Sequence, residues 1–180
     1  MWKRICSTRI NQEIFNKNYC DRLFPGRYNE ANSVNKNELI TYLKHDINNN
    51  SIPFKAKFDI IILFGVLEHV RNIPLVLIKA KKMLSSNGHI LITSSNRSSI
   101  YSIQKRIYEF FGIWKYGYTK NYTKSELLYI IQKSGFSIKN ARIVGCNREN
   151  SVLSFFDRLL CTIFQNGRYI FIEGKNERTL

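Results

Sequence analysis

The chain has 180 residues, 44% of them hydrophobic, which suits one globular domain with a buried core and excludes two domains of ordinary size. No stretch reaches the roughly 20 apolar residues that span a bilayer, and residues 1–18 lack the apolar core of a secretory signal. We therefore expect a cytoplasmic protein without a transmembrane segment. The four cysteines are far apart and have no nearby histidine partner. Because a zinc site needs clustered ligands, the sequence predicts free thiols and no metal.

The formal net charge of +15 raises the question of nucleic-acid binding. Basic residues are spread along the chain, however, and the longest runs are pairs such as Lys81 and Lys82. The sequence is also rich in Asn, Ile and Lys, a bias that an AT-rich coding sequence produces without selection for binding. An RNA-binding or RNA-modifying module is therefore an alternative that rests on charge alone, and nucleic acid is not the expected partner.

The first part of the chain gives weak signals, and regular elements begin after it. Residues 1–37 are polar without a sustained period, which predicts an irregular or degenerate N-terminal segment. An α/β domain is predicted over residues 38–175. It begins with a partly alternating apolar set at residues 38–46, which predicts a strand, followed by a loop at residues 48–53. The nearly continuous apolar run at residues 58–63 is typical of a strand covered on both faces.

A helix is predicted after this buried strand. Asn72 is expected to cap it, with Pro74 in the first turn, where the missing N–H costs nothing. Asn87 and Gly88 are expected to end it, and residues 89–93 predict a second buried strand. Strand, helix and strand in this order predict a βαβ crossover and a parallel sheet. One face of the helix is expected to hold Val76, Ala80, Met83 and Leu84, opposite Lys79 and Lys82.

The remaining elements follow from local capping and periodicity signals. Thr123 and Glu126 have the Thr-x-x-Glu spacing of a capping box, which predicts the start of a helix. Ser134 and Gly135 are expected to close that helix. The other predicted elements are a helix at residues 100–111, an aromatic-rich loop at 112–121, a strand at 137–144, a helix at 152–164 and a last strand at 169–173.

Several of these strings, in this order, resemble class I S-adenosylmethionine-dependent methyltransferases of the small-molecule type. The fourth strand of that family and the turn after it resemble FDIIILFGVLEHV at residues 58–70, and its fifth strand resembles NGHILITSSN at residues 87–96. The helix before the sixth strand resembles residues 122–138. The resemblance implies an α/β, Rossmann-like, mostly parallel sheet with helices on both faces. It also implies methyl transfer from S-adenosylmethionine to a small-molecule acceptor.

The resemblance also implies where the cofactor binds. Asp46 matches a position whose carboxylate accepts a hydrogen bond from the adenine amine, and Ile47 one that packs on the ring; a solvated loop aspartate is the alternative. Phe64, Gly65 and Val66 follow the fourth strand, at the edge where open α/β folds bind ligands. We expect them to line the cofactor. For Gly65 the alternative role is to accommodate the turn without contacting a ligand.

The same edge carries candidates for catalysis and acceptor binding. His69 is the candidate general base, because a neutral imidazole accepts a proton from a hydroxyl near pH 7; packing beside the cofactor site is its alternative role. Asn96 and Arg97 follow the fifth strand and are expected either to meet substrate or to form a polar surface loop. Aromatic residues that either cover the substrate or pack under a loop are Trp114, Tyr116, Tyr118 and Tyr122.

One departure from the family pattern concerns the glycine-rich turn that holds the methionine part of the cofactor. The only glycine before Gly65 is Gly26, which follows a proline and is typical of a simple turn. The N-terminal βαβ unit is therefore predicted to be missing or degenerate. The alternative function is a catalytically inactive methyltransferase-like protein, either a partner subunit or a non-functional fragment. A sheet lacking its first strands also predicts a protein partner that covers the exposed edge.

Overall fold

The computed structural model describes residues 11–16, 40–45, 47, 57–114, 119–145 and 167–177. Strands β1 (Asn11–Asn16) and β2 (Ile40–His45) pair in parallel. Strand β2 agrees with the strand predicted at residues 38–46. Strand β1 lies within the segment predicted to be irregular or degenerate. Its sequence NQEIFN has no alternating apolar pattern, and the parallel pairing with β2 supplies its backbone partners.

A second sheet contains four strands: β3 (Phe58–Phe64), β4 (Leu84–Ser95), β5 (Ser137–Val144) and β6 (Tyr169–Lys175). Their order across the sheet is β3-β4-β6-β5. Strands β3 and β4 are parallel, whereas β6 is antiparallel to both β4 and β5. Three strands therefore run in one direction and β6 in the other, which confirms the predicted mostly parallel α/β sheet.

The described residues also form three α-helices, α1 (Ile73–Met83), α2 (Ile100–Phe110) and α3 (Lys124–Lys133), and a short 3₁₀ helix at Leu67–His69. Two predicted caps are confirmed. The Asn72 side chain accepts a hydrogen bond from the backbone of the first turn of α1, and Thr123 forms a reciprocal capping box at the start of α3. The helix predicted at residues 152–164 lies outside the described residues.

The predicted end of α1 is wrong. The helix ends at Met83, and β4 begins at the next residue and runs through Asn87 and Gly88. Asn87 has a φ of 68°, and the pairing of β3 with β4 shifts its register at this place. The preference of an Asn-Gly pair for left-handed backbone therefore serves an irregularity inside the strand rather than a helix terminus.

The core lies between the sheet and the helices that cover it. Helices α1 and α3 contact each other, and both contact the sheet. No helix among the described residues is long and apolar enough to cross a membrane. Among the described residues, the apolar side chains with no exposed surface, which form the centre of this core, are Leu67, Val70, Leu77, Ile90, Ile92, Leu127, Ile131, Ile170 and Ile172.

Candidate active site at the carboxyl edge of the sheet

Strands β3 and β4 end side by side and fix a tight turn. Phe64, the last residue of β3, pairs with Thr93 of β4. The next residue, Gly65, has a φ of 61°, in the left-handed region that favours glycine. Its backbone N–H donates to the Thr93 carbonyl at 2.9 Å and also lies 3.2 Å from the Thr93 hydroxyl. The turn after β3 therefore favours a glycine for its own geometry.

The three predicted cofactor-lining residues of this turn differ in exposure. The side chain of Phe64 is 42% exposed, at the end of the strand. Val66 is 5% exposed and belongs to the core. The turn thus presents an aromatic ring to the surface while the next side chain packs inside. Contact of Phe64, Gly65 and Val66 with a cofactor stays a prediction.

His69 is half-buried at the end of the 3₁₀ helix, and its backbone N–H donates to the Val66 carbonyl at 3.0 Å. Its neighbour Glu68 is buried. The Ser95 hydroxyl lies 3.4 Å from Oε1 of Glu68, and the Lys120 N–H donates to the Glu68 carbonyl at 2.8 Å. These contacts hold the 3₁₀ helix against the end of β4 and the segment before α3. The role of His69 as a base stays a prediction.

Ile47 is buried, and its carbonyl accepts a hydrogen bond from Nζ of Lys79 at 3.1 Å. Lys79 is only 7% exposed, which corrects its predicted place on the polar face of α1. The carbonyl satisfies its ammonium group while the aliphatic stem packs in the core. This bond ties the segment after β2 to α1. The other predicted adenine contact, Asp46, lies outside the described residues.

Asn96 has a structural role that the sequence did not indicate. It is 1% exposed, its backbone N–H donates to the Arg168 carbonyl at 2.9 Å, and its Nδ2 donates to the Gly167 carbonyl at 2.8 Å. Its own carbonyl accepts from the hydroxyls of Ser99 and Ser102 at 2.7 and 2.6 Å. Asn96 is thus not a surface residue: it joins the end of β4 to the start of β6 and of α2.

Arg97 is held by an ion pair with α3. Its Nη2 lies 2.6 Å from Oε1 of Glu126, whose other oxygen accepts from the backbone N–H of Thr123 at 2.9 Å. The hydrogen bond from Thr123, together with the Arg97 guanidinium, holds the pKa of Glu126 below its ordinary value, although partial burial opposes this. Arg97 therefore connects the loop after β4 to the capping box of α3.

Of the four aromatic residues considered for acceptor contact, two are described. Tyr122 is 5% exposed and packs in the core, and its backbone forms an isolated β-bridge with Asn96. Trp114 is half-buried, with Nζ of Lys105 5.4 Å from its ring centre. Tyr116 and Tyr118 lie outside the described residues. Ordinary packing therefore accounts for Tyr122.

Three further residues lie at this edge, and sequence reasoning missed them. Tyr169 begins β6 opposite Ser95, the last residue of β4. Cζ of Arg168 is 3.7 Å from the centre of the Tyr101 ring and 5.4 Å from that of Tyr169. Burial raises the pKa of Tyr169, and the Arg168 charge opposes that shift. Tyr101 is distant in the sequence from the other two, so only the pairing of β4 with β6 indicates that they meet.

The described residues contain no group of three or more His, Cys, Asp and Glu side chains placed to hold a metal ion. The candidate site consists of the Phe64 ring beside the Gly65 turn, the half-buried His69, and Arg168 over the ring of Tyr101. All three belong to the edge where β3 and β4 end. The chemistry available from these side chains is apolar contact, proton acceptance by an imidazole and binding of an anion.

Comparison with known proteins agrees with this geometry. A family model described as a methyltransferase domain matches residues 10–140, more than half of the chain. The match begins well before residue 38, the predicted domain boundary. A search of curated proteins finds no match.

Several solved structures share the fold. A SAM-dependent methyltransferase from Thermotoga maritima is 17% identical with a TM-score of 0.57, over 77% of this chain and 64% of that one. One from Mesorhizobium loti is 15% identical with a TM-score of 0.58, over 82% and 74%. Magnesium protoporphyrin IX methyltransferase from Synechocystis, with bound SAH, is 10% identical with a TM-score of 0.53, over 85% and 58%.

The chain thus spans less than two thirds of the Thermotoga and Synechocystis proteins. At these identities the structural likeness shows the fold, while the family model shows the family. The chain belongs to the methyltransferase domain family and has the fold of class I S-adenosylmethionine-dependent methyltransferases.

Proposed function

We propose that the protein transfers the methyl group of S-adenosylmethionine (SAM) to a small-molecule acceptor at the carboxyl edge of the sheet. The observation that carries this proposal is the turn after β3. There Gly65 is fixed by two contacts with Thr93, beside the exposed ring of Phe64. Ligands of open α/β folds bind at this edge, and the family match supports the reaction class.

The residues at this edge fit the adenosine part of the cofactor. The exposed ring of Phe64 offers a flat apolar surface, and Gly65 has no Cβ to keep a ligand from the backbone. Asp46 would accept from the adenine amine, and Ile47 would pack on the ring. The methionine part of the cofactor fits less well. The family holds it at a glycine-rich turn, whereas Gly26 is the only glycine before Gly65 in this sequence.

The chain's own contribution to the chemistry is positioning and one base. SAM, when bound, supplies an electrophilic methyl group. His69 is half-buried on a 3₁₀ helix whose backbone is held by Val66 and Lys120. Its imidazole would accept the proton that a hydroxyl or amine acceptor loses. Holding the acceptor in line with the methyl group supplies most of the acceleration in such a reaction.

Titration calorimetry with S-adenosylhomocysteine (SAH) tests this proposal with a matched pair of variants. Phe64→Ala removes the exposed ring at the site, and Phe110→Ala removes a ring that is 85% exposed on α2. We expect Phe64→Ala to weaken SAH binding about tenfold, a loss of roughly 1.4 kcal/mol. Phe110→Ala should bind SAH as the wild type does. Equal binding by the two variants would contradict a cofactor site at Phe64.

A second candidate function is an inactive, methyltransferase-like partner subunit. It is favoured by the lack of a glycine-rich turn before Gly65 and by the place of β3 at one edge of the four-stranded sheet. A partner that adds a strand beside β3 would extend the sheet and cover this edge. This function predicts that the folded chain binds neither SAM nor SAH by itself. Binding of SAH by the isolated chain would count against it, and methyl transfer by the isolated chain would rule it out.

A further inference from the structure

An arginine at the start of β6 stacks on a tyrosine at the start of α2, away from the proposed cofactor contacts. The guanidinium of Arg168 lies over the ring of Tyr101 at 3.7 Å, with the ring of Tyr169 at 5.4 Å. We infer that Arg168 binds a carboxylate group of the methyl acceptor, and this inference rests on the proposed function. The acceptor class is therefore a small organic acid.

The backbone around Arg168 is fixed by hydrogen bonds on both sides. Its N–H donates to the Gly145 carbonyl at 2.6 Å, and its carbonyl accepts from Asn96 at 2.9 Å. The preceding residue, Gly167, is buried and accepts from Nδ2 of Asn96 at 2.8 Å. A Cβ on Gly167 would lie 2.7 Å from the Val144 carbonyl oxygen, so only glycine fits there. A binding group supported in this way is held before the ligand arrives.

Among the described residues Arg168 forms no ion pair, although the buried carboxyl group of Glu68 lies near enough to act on the phenol of Tyr169. Nε of Arg168 is buried and makes no hydrogen bond within this part of the chain. Arg97, at the same edge, differs because Glu126 neutralises it at 2.6 Å. A half-buried guanidinium gains most from a planar carboxylate, which accepts two parallel hydrogen bonds from its fork.

The stacking on Tyr101 leaves the guanidinium suited to this role. A ring whose centre lies 3.7 Å from the guanidinium carbon stabilises the cation and restricts its movement. The half-buried Tyr169 adds a second ring beside it. Burial raises the pKa of the Tyr169 phenol above its ordinary value, and the Arg168 charge opposes that shift. An aromatic acid would contact both rings and the cation together.

Arg168 is also close enough to the β3 turn to serve one reaction. Tyr169 pairs with Ser95 on β4, and β4 pairs with β3, which ends at Phe64. Neighbouring strands are about 4.8 Å apart, so two strand spacings separate Arg168 from the turn by roughly 10 Å across the sheet. The offset along β4 from Thr93, level with Phe64, to Asn96, level with Arg168, adds roughly 10 Å along the strands. A small acid and the cofactor would together fill that distance.

The test uses para-hydroxybenzoate and para-hydroxybenzamide, which have nearly the same shape and differ in charge. Ligand-observed NMR titrations, with and without SAH, compare the wild type with Arg168→Gln, Arg168→Lys and Arg142→Gln. Arg142 is an exposed arginine on β5 that contacts Asn140, and it serves as the matched control. Circular dichroism checks that each variant is folded. If Arg168→Gln does not fold, Arg168→Lys still tests the inference.

We expect the wild type and Arg142→Gln to bind the benzoate at least about tenfold more tightly than the benzamide, as charge-assisted hydrogen bonds predict. Arg168→Gln should lose this preference, and Arg168→Lys should retain only part of it, because lysine has no planar fork. Equal binding of the two probes by the wild type, or an unchanged preference in Arg168→Gln, would overturn the inference. The inference would also be overturned if the wild type bound neither probe at millimolar concentration.

SAH titrated into the same samples separates this inference from the proposed function. If SAH binds and the carboxylate preference is absent, the Arg168 site is wrong and the enzyme proposal stands. If SAH does not bind and the preference depends on Arg168, the anion site stands and the enzyme proposal fails. The two results are read from different ligands, so neither failure hides the other.

Discussion

At the scale of single residues, the buried polar groups explain why parts of the site differ from expectation. Lys79 lies inside because one carbonyl, that of Ile47, accepts from its ammonium group. Asn96 lies inside because its backbone and side-chain polar atoms all form hydrogen bonds. Its partners include Arg168, Gly167 and Ser99. A sequence pattern classifies such residues as surface or ligand-binding, since their partners are distant in the chain.

Gly65 allows a sharp prediction at this scale. Gly65→Ala forces an alanine into the left-handed region, which should cost about 1–2 kcal/mol of stability, and it adds a methyl group beside the proposed cofactor. Gly112→Ala is the control: Gly112 has a φ of 68°, and a methyl group added there would meet nothing within 4 Å. Both variants should lose similar stability in urea denaturation. Only Gly65→Ala should bind SAH at least about tenfold more weakly.

The outcome is decided by comparing the two variants rather than each with the wild type. If Gly112→Ala loses as much SAH affinity as Gly65→Ala, the effect comes from general destabilisation. If neither loses affinity, the cofactor does not approach the turn after β3. Either result would remove Gly65 from the proposed site.

At the scale of elements, local signals predicted most helices and strands because their causes are local. The capping box at Thr123 and Glu126 and the cap at Asn72 were confirmed, since each depends on residues within one turn. The end of α1 was predicted wrongly because an Asn-Gly pair favours left-handed backbone in any context, including the irregularity within β4. Strand β1 was missed because its pairing partner, and not its own pattern, makes it a strand.

The capping box gives a stability prediction. Thr123→Ala removes the hydroxyl that accepts from the Glu126 N–H at 3.3 Å, so the free energy of unfolding should fall by about 1 kcal/mol. Ser125→Ala, an exposed position in the first turn of the same helix, should change it by less than about 0.5 kcal/mol. Equal effects in chemical denaturation would show that the cap contributes nothing.

The same motif predicts a pH dependence. The pKa of Glu126 is lowered in the folded protein, first by the hydrogen bond from Thr123 and also by Arg97. Stability from this carboxylate is therefore present above the ordinary glutamate pKa of about 4.3 and is lost as pH falls through the lower folded value. Glu126→Gln should be less stable than the wild type at neutral pH, and the difference should narrow in acid. A difference that is constant with pH would contradict the assignment.

At the scale of the whole molecule, the fold was predictable and the full site was not. The order of elements and strings such as FDIIILFGVLEHV indicated the family, because they lie in continuous segments. Tyr101, Arg168 and Tyr169 were not indicated, because an antiparallel pairing between β4 and β6 brings them together. The proposed acceptor site therefore depends on the sheet topology.

The central claim is that SAM binds where β3 and β4 end, and hydrogen-exchange mass spectrometry with saturating SAH tests it most directly. We predict slower exchange in peptides covering residues 58–70 and 87–97 when SAH is present, because the ligand contacts the turn after β3 and the adjoining strand end. Peptides covering β5, residues 137–144, should exchange at an unchanged rate. No protection anywhere, or protection confined to β5, would contradict the proposed site.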